Sequence, residues 1–477
     1  MKQSINKKNI LDIGSLFLSQ FATVILAFIT QVLLVRLLSV EEFGSFSTGL
    51  AVSSIIATIV GFGVGPFLVR VFSVENEKAS RWIQSMKKIM FFSILIGITV
   101  NFSLAFFSSY SLLTKQIILI FIGVSIYQGT TLIVYSIFQV KRKFRAISAY
   151  DFWNFFLKFL IVLLGVFLNL SIYELSFGYF FISIIFLIIF YKIIKHFFRE
   201  NYIESYNDET LLDTLKAIWP FAFSGIFYLF YYQSGTVVLG LLNGEASVAI
   251  YSVLFTALSV VYIVPNVVYQ KFLLPIIHKW SATDVKKMYD NTILGVRFMA
   301  LISIIVMGFV AICAVYLIPI IFSERYILAG QLLVLAVLAI PFRFIATSVG
   351  SILVTGDLMK KKVIYQGIVA FINIITNIIL ISFLSLQGAV YNIILTEFLT
   401  LFIYTLAIKR NVNQELFNKI LSNYLIICLL IISQIIIYFF YLSNFKSIIL
   451  IPIILISIVI PLLLLFKMLI HFKKGVN

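Results

Sequence analysis

The feature that most constrains this chain is a succession of apolar runs, each long enough to cross a ~30 Å hydrocarbon core. Backbone groups inside such a core must bond within their own segment, which selects helices. The runs place spans at 11–38, 44–69, 89–109, 116–139, 149–169, 175–192, 217–242, 247–270, 291–319, 328–355, 363–385, 388–408, 420–442 and 447–466. The fold expected is therefore all-α and polytopic, with about fourteen transmembrane helices. Composition agrees: 62% of the 477 residues are hydrophobic and 12% charged, against roughly 45–50% and 25% in a soluble domain. The first run, Leu11 to Leu38, follows Lys2, Lys7 and Lys8. It is too long for a signal-peptide core and has no small-residue cleavage site, so it reads as a retained span.

The net charge of +17 resembles a nucleic-acid footprint only until the basic residues are located. They fall in short clusters between apolar runs, as the positive-inside rule describes. With the N-terminus in the cytoplasm, all but seven of the 36 Lys and Arg residues lie in inner segments or tails. Outer loops hold Lys115, Arg325 and Lys446; spans hold Arg36, Lys158, Arg297 and Arg343. Both termini are thus expected on the cytoplasmic side of a cell membrane, and no nucleic-acid partner is expected. The outer loops are too short for an external domain, which counts against a membrane glycan polymerase or ligase. The longest inner loop, from Lys192 to Lys216, has an acidic middle and reads as a linker between halves.

Little in the chain suggests catalysis. There is no phosphate-binding loop of the Gly-x4-Gly-Lys-Ser/Thr form. Gly61, Gly63, Gly65 and Pro66 look superficially like a dinucleotide loop but lie inside a span, where they suit a loosened helix or close helix packing. Cys313 and Cys428 sit in spans as small hydrophobes. His196, His278 and His471 have no ligand-spaced neighbours, so no metal, cofactor or enzymatic activity is expected.

Ionisable residues within spans carry the functional signal. A charge at a helix centre costs ~2.5–3.5 kcal/mol on insertion scales, so such groups face a bundle interior or a watery cavity. Arg343 lies mid-span, two residues after Pro341; Arg36 lies near the outer end of its span, and Lys158 and Arg297 complete the basic set. Asp151 and Glu397 are the acidic counterparts and the candidates for ion coupling. Asp151 and Lys158, seven residues apart, share a helix face. Excess positive charge suits an anionic cargo, and the planar fork of arginine suits diphosphate. Tyr231, Tyr232 and Gln233, with Tyr228 beside them, form a candidate wall for sugars.

The halves carry a weak repeat. Leu37-Leu38 is followed by Glu41 and then Phe46-Ser47; Leu241-Leu242 is followed by Glu245 and then Tyr251-Ser252. Six spans separate the copies, as in a parallel repeat with a site between halves. The stretch from Arg36 through Glu41, Phe43, Gly44 and Phe46 resembles the oligosaccharide-exporter families of the multidrug/oligosaccharidyl-lipid/polysaccharide superfamily. Trp219-Pro220 is similar to them as well. So is the later series Tyr326, Thr355-Gly356, Asn373, Asn377, Gly388-Ala389 and Glu397. The resemblance covers most of residues 10–410. It departs at Gly235, where many relatives carry an acid four residues before Leu239-Gly240. A coupling role for that acid does not transfer.

The resemblance implies two six-helix lobes around a central cavity, 1–200 and 201–412, with 413–477 as two peripheral spans. It implies a bacterial inner-membrane flippase for polyprenyl-diphosphate-linked oligosaccharides of O-antigen or capsule type, working by alternating access among membrane lipids and other polysaccharide-assembly proteins. Another secondary transporter of the same architecture, for drugs or a peptidoglycan precursor, is the alternative.

Overall fold

The structure, a computed structural model, describes residues 7–203, 208–266, 269, 273–355 and 358–421; among these there is helix and connecting turn but no strand. The helices are α1 (Lys7–Leu37), α2 (Val40–Gly61), α3 (Val64–Val74), α4 (Ile83–Phe107) and α5 (Leu112–Ile120). They continue as α6 (Ile122–Val140), α7 (Phe144–Leu168), α8 (Ile172–Asn201), α9 (Leu211–Leu242) and α10 (Glu245–Asn266). The last are α11 (Leu274–Thr283), α12 (Val285–Ile321), α13 (Ile327–Ala336), α14 (Ala339–Ile352) and α15 (Leu358–Asn411).

Eight helices among the described residues are long and apolar enough to cross a membrane, or ten if each bent pair is one span. The protein is a multi-pass membrane protein. α15 has 54 residues, so as one rod it would extend about 81 Å, far beyond the hydrocarbon core. It is two helices, broken where Ser385 leaves helical geometry (φ 52°, ψ −132°). That break falls where the expected spans 363–385 and 388–408 adjoin. Of the expected span 420–442 only residues 420 and 421 are described, and the expected span 447–466 lies wholly outside the described residues.

The breaks within spans have local causes. α2 ends at Gly61, Phe62 and Gly63 turn left-handed (φ 33° and 68°), and α3 resumes. A Cβ on Gly63 would come within 2.4 Å of the Ala222 backbone nitrogen on α9. The glycine-rich run thus both loosens a helix and lets another approach it. The break between α13 and α14, bent by 52°, follows from Pro341. Proline has no N–H to donate to the carbonyl four residues back, and Ile340 N–H bonds Val337 O instead (3.0 Å).

The chain divides into two compact units, Met1–Ala249 and Ile250–Asn477. In the first, α2 packs on α4, α5, α6 and α9, α6 on α3 and α8, and α1 on α7. α2 starts on a capping box: Ser39 Oγ accepts from Glu42 N–H and the Glu42 carboxylate accepts from Ser39 N–H. The segment leading into α9 is tied to this unit. Glu209 N–H donates to Arg81 O (2.9 Å), and Arg81 pairs with both Glu75 and Glu209 (3.0 and 3.1 Å). In the second unit α12 packs on α11, α13 and α14, and α14 on α15.

Candidate functional site

The second unit gathers several of its polar groups around Arg343. The helix restart after Pro341 sets this residue in the second turn of α14, with its side chain 14% exposed. Its Nη1 lies 3.6 Å from Oε1 of Glu397, whose side chain is 4% exposed. That spacing is ion-pair reach, longer than the 2.7–3.2 Å of a direct hydrogen bond. The guanidinium also lies over the ring of Tyr262 on α10, 5.4 Å from its centroid, a cation–π arrangement. Arginine tolerates such a place because its charge is delocalised and weakly hydrated.

Two further residues complete the group, Tyr404 and Lys362. Tyr404 lies two turns beyond Glu397 on α15, and its buried ring rests against Gly350, two turns beyond Arg343 on α14. Lys362, half-buried, holds its Nζ 5.8 Å from the Tyr404 centroid. The sequence counted Lys362 with Lys360 and Lys361 as a marker of the cytoplasmic side, and Tyr404 did not stand out. The two-turn spacings 343/350 and 397/404 were the available signal. Among the described residues, the group holds two cations against one carboxylate.

The two halves of α15 hold Glu397 in place. Asn373 Nδ2 donates to Thr396 Oγ1 (2.8 Å), Thr376 Oγ1 to Asn392 Oδ1 (2.6 Å), and Asn392 Nδ2 to Asn373 O (3.3 Å). These buried bonds clasp one half against the other beside the acid. Gly388 permits the tight reversal, since a Cβ there would meet Leu380 O at 2.1 Å.

The first unit holds a second polar group. Lys158 on α7 has its Nζ among three rings, 5.4 Å from Tyr127, 5.7 Å from Phe155 and 5.7 Å from Tyr179. Asp151, two turns away, accepts a hydrogen bond from Tyr135 Oη on α6. The other sequence candidates are more open. Arg36 is exposed in the last turn of α1, where a cation complements the helix dipole. Arg297 is exposed on α12. Tyr231, Tyr232 and Gln233 are half-buried on α9, with Tyr232 stacked on Tyr228 at 5.9 Å. The structure thus joins Arg343 to Glu397, and places Lys158 and Asp151 along one seam.

Buried ionisable residues within the spans of an all-helical, multi-pass chain mark the paths that membrane transporters build. No cluster of metal-ligating side chains occurs among the described residues. The chain belongs to the polysaccharide biosynthesis protein family, which it matches over residues 10–281. Its fold is similar to that of the lipid II flippase MurJ in the inward closed conformation. That match has a TM-score of 0.68 at 17% identity, covering 95% of this chain and 99% of MurJ. A MATE transporter from Vibrio cholerae is also similar, with a TM-score of 0.55 at 12% identity over 85% of this chain and 98% of the other. An inward-facing multidrug resistance MATE transporter of the MOP superfamily gives 0.57 at 12% identity over 81% and 94%. No curated protein matches the chain by sequence. The chain therefore has the fold shared by the flippases and transporters of that superfamily.

Proposed function

We propose that the protein carries polyprenyl-diphosphate-linked oligosaccharide repeat units, of O-antigen or capsule type, from the cytoplasmic to the outer leaflet of the bacterial inner membrane. It works by ion-coupled alternating access with both termini in the cytoplasm. The observation that carries this reading is Arg343, a mid-span arginine set by a proline break against Glu397 and Tyr262. Family membership supports a role in polysaccharide synthesis.

The task needs a protein. Each unpaired hydroxyl moved into hydrocarbon costs about 4–8 kcal/mol on a cyclohexane scale, so a repeat unit of several sugars faces tens of kcal/mol. A polar interior lowers that barrier while the polyprenyl chain stays in lipid. Arg343 and Lys362 supply charge for the diphosphate: the arginine fork bonds two oxygens at once, and the lysine acts as a point charge. Glu397 competes for Arg343 when cargo is absent and so keeps the guanidinium from trapping it. Tyr262 and Tyr404 present flat, partly polar faces suited to sugars.

A conditional depletion strain tests the reading. Lipid-linked repeat units are expected to accumulate on the cytoplasmic face while surface glycan falls. Unchanged surface glycan after depletion contradicts it.

A further inference from the structure

We propose that the α6–α7 seam of the first unit is a proton path between Asp151 and Lys158, which makes the proton the ion that this transporter couples to its cargo. The inference rests on the transport reading above and names its coupling ion. The seam itself is built from side chains that the cargo site does not use.

On α6, Tyr127, Thr131 and Tyr135 recur every four residues and share one face. On α7, Asp151, Asn154 and Lys158, at spacings of three and four residues, also share one face. Tyr135 donates its hydroxyl to Asp151. Tyr150 packs edge-on against Tyr135, with centroids 5.8 Å apart. Thr131 Oγ1 donates to Tyr127 O (2.9 Å). The buried hydroxyls of Tyr127 and Tyr150, like Asn154 Oδ1, have no hydrogen-bond partner among the described residues, and the Tyr127 ring underlies the Lys158 ammonium. Hydroxyls, a carboxyl and an amine thus line about two turns of helix, roughly 10 Å. The surroundings are an apolar core that includes Val134, Ile182 and Phe186.

Two observations mark this seam as more than packing. Asn154 is 6% exposed, and its Oδ1 has no hydrogen-bond partner. Buried amide oxygens of this kind are normally satisfied by water, which would bridge the hydroxyls into a relay. Lys158 has no carboxylate within ion-pair distance among the described residues, only three ring faces. A mid-membrane amine so placed gains from the rings but bears the cost of burial.

The facing groups are few. α6 offers Tyr127 and Tyr135 and no charge. α8 offers Tyr179, with Glu174 at one end and Lys192, Lys195, His196, Arg199 and Glu200 toward the other, where Tyr191 also lies. The described side chains of α1, residues 22–37, include one charge, Arg36, in the last turn. Asp151 lies toward the end that the charge pattern assigns to the cytoplasm, near Arg145 on its own helix. Lys158 ammonium gives a proton through the hydroxyl relay to the Asp151 carboxylate, which passes it to cytoplasmic water. The amine regains a proton when it next meets the other side.

The test uses the full protein in liposomes with a fluorescent polyprenyl-diphosphate-linked glycan, under an imposed pH gradient. A one-unit gradient changes the accumulation ratio up to about tenfold per proton moved. Wild type is expected to show this dependence, Asp151→Asn and Lys158→Gln to lose it, and Tyr135→Phe to approach equilibrium more slowly. A second readout needs no cargo: infrared difference titration, in which Asp151→Asn removes the one carboxyl component assigned to Asp151 and Lys158→Gln shifts it. Flipping without any gradient dependence, or variants that respond and titrate like wild type, overturns the proton path. Absence of flipping in wild type overturns the cargo reading instead, and the infrared result then decides the path by itself.

Discussion

At the scale of single residues, Arg343 and Glu397 are bound together by burial. Removing one member of a buried pair leaves the other uncompensated, at a cost of about 3–5 kcal/mol, whereas removing both is far milder. Arg343→Ala is therefore expected to lower both abundance and flipping. Arg343→Ala combined with Glu397→Gln should recover abundance, read by fluorescence-detected size exclusion, while flipping stays at least tenfold down. Recovery of flipping in the double variant would show that the arginine serves stability alone. Arg343→Lys should keep the charge but lose the two-point grip on phosphate, leaving partial flipping. The sequence singled out both residues, because a charge inside an apolar run is conspicuous. It did not pair them, since 54 positions and a chain reversal separate them. Lys362 was hidden for the opposite reason: beside Lys360 and Lys361 it looks like an ordinary solvated lysine, and only the fold carries it toward the Tyr404 ring.

At the scale of elements, the all-helical, multi-span plan was legible because hydrocarbon imposes both length and polarity on a helix; among the described residues eight to ten spans answer to the fourteen expected. Their interruptions were legible only where residue chemistry announces them. Pro341 and the glycines around Phe62 announce theirs. The 44° bend between α5 and α6 at Phe121 has no such mark, since apolar residues such as Leu119 and Ile122 continue on either side. Pro341→Ala restores an N–H that can bond Val337 O. Its expected effect is a straighter α13–α14, an unchanged or higher melting temperature, and lower flipping as Arg343 moves from Glu397. In α15, Thr396→Val removes the Asn373 bond at 2.8 Å. Polar contacts between membrane helices average about 0.6 kcal/mol and reach about 1.7, so a fall of a few degrees in melting temperature is expected. Gly388→Val should be far more damaging, because its side chain would enter the Leu380 backbone; loss of monodisperse protein on size exclusion checks this.

At the scale of the whole molecule, the basic residues and the fold point the same way. The charge pattern assigns most basic residues to one side of the membrane and leaves Arg36, Lys158, Arg297 and Arg343 within spans, which supports the proposal of an anionic cargo. Sidedness is directly testable. Single cysteines introduced beside Lys88 and Lys143 are expected to resist a membrane-impermeant thiol reagent in intact cells, and one beside Lys115 to react. The reverse pattern would invert the orientation. The central claim, movement of a lipid-linked glycan, is tested most directly by purified protein in liposomes carrying a fluorescent polyprenyl-diphosphate-linked oligosaccharide, with an impermeant reductant added outside. Transport predicts that the fluorescence protected in the inner leaflet becomes accessible with wild-type protein and stays protected with the Arg343→Ala, Glu397→Gln double variant. Protection that persists equally with wild type and with empty liposomes would contradict it.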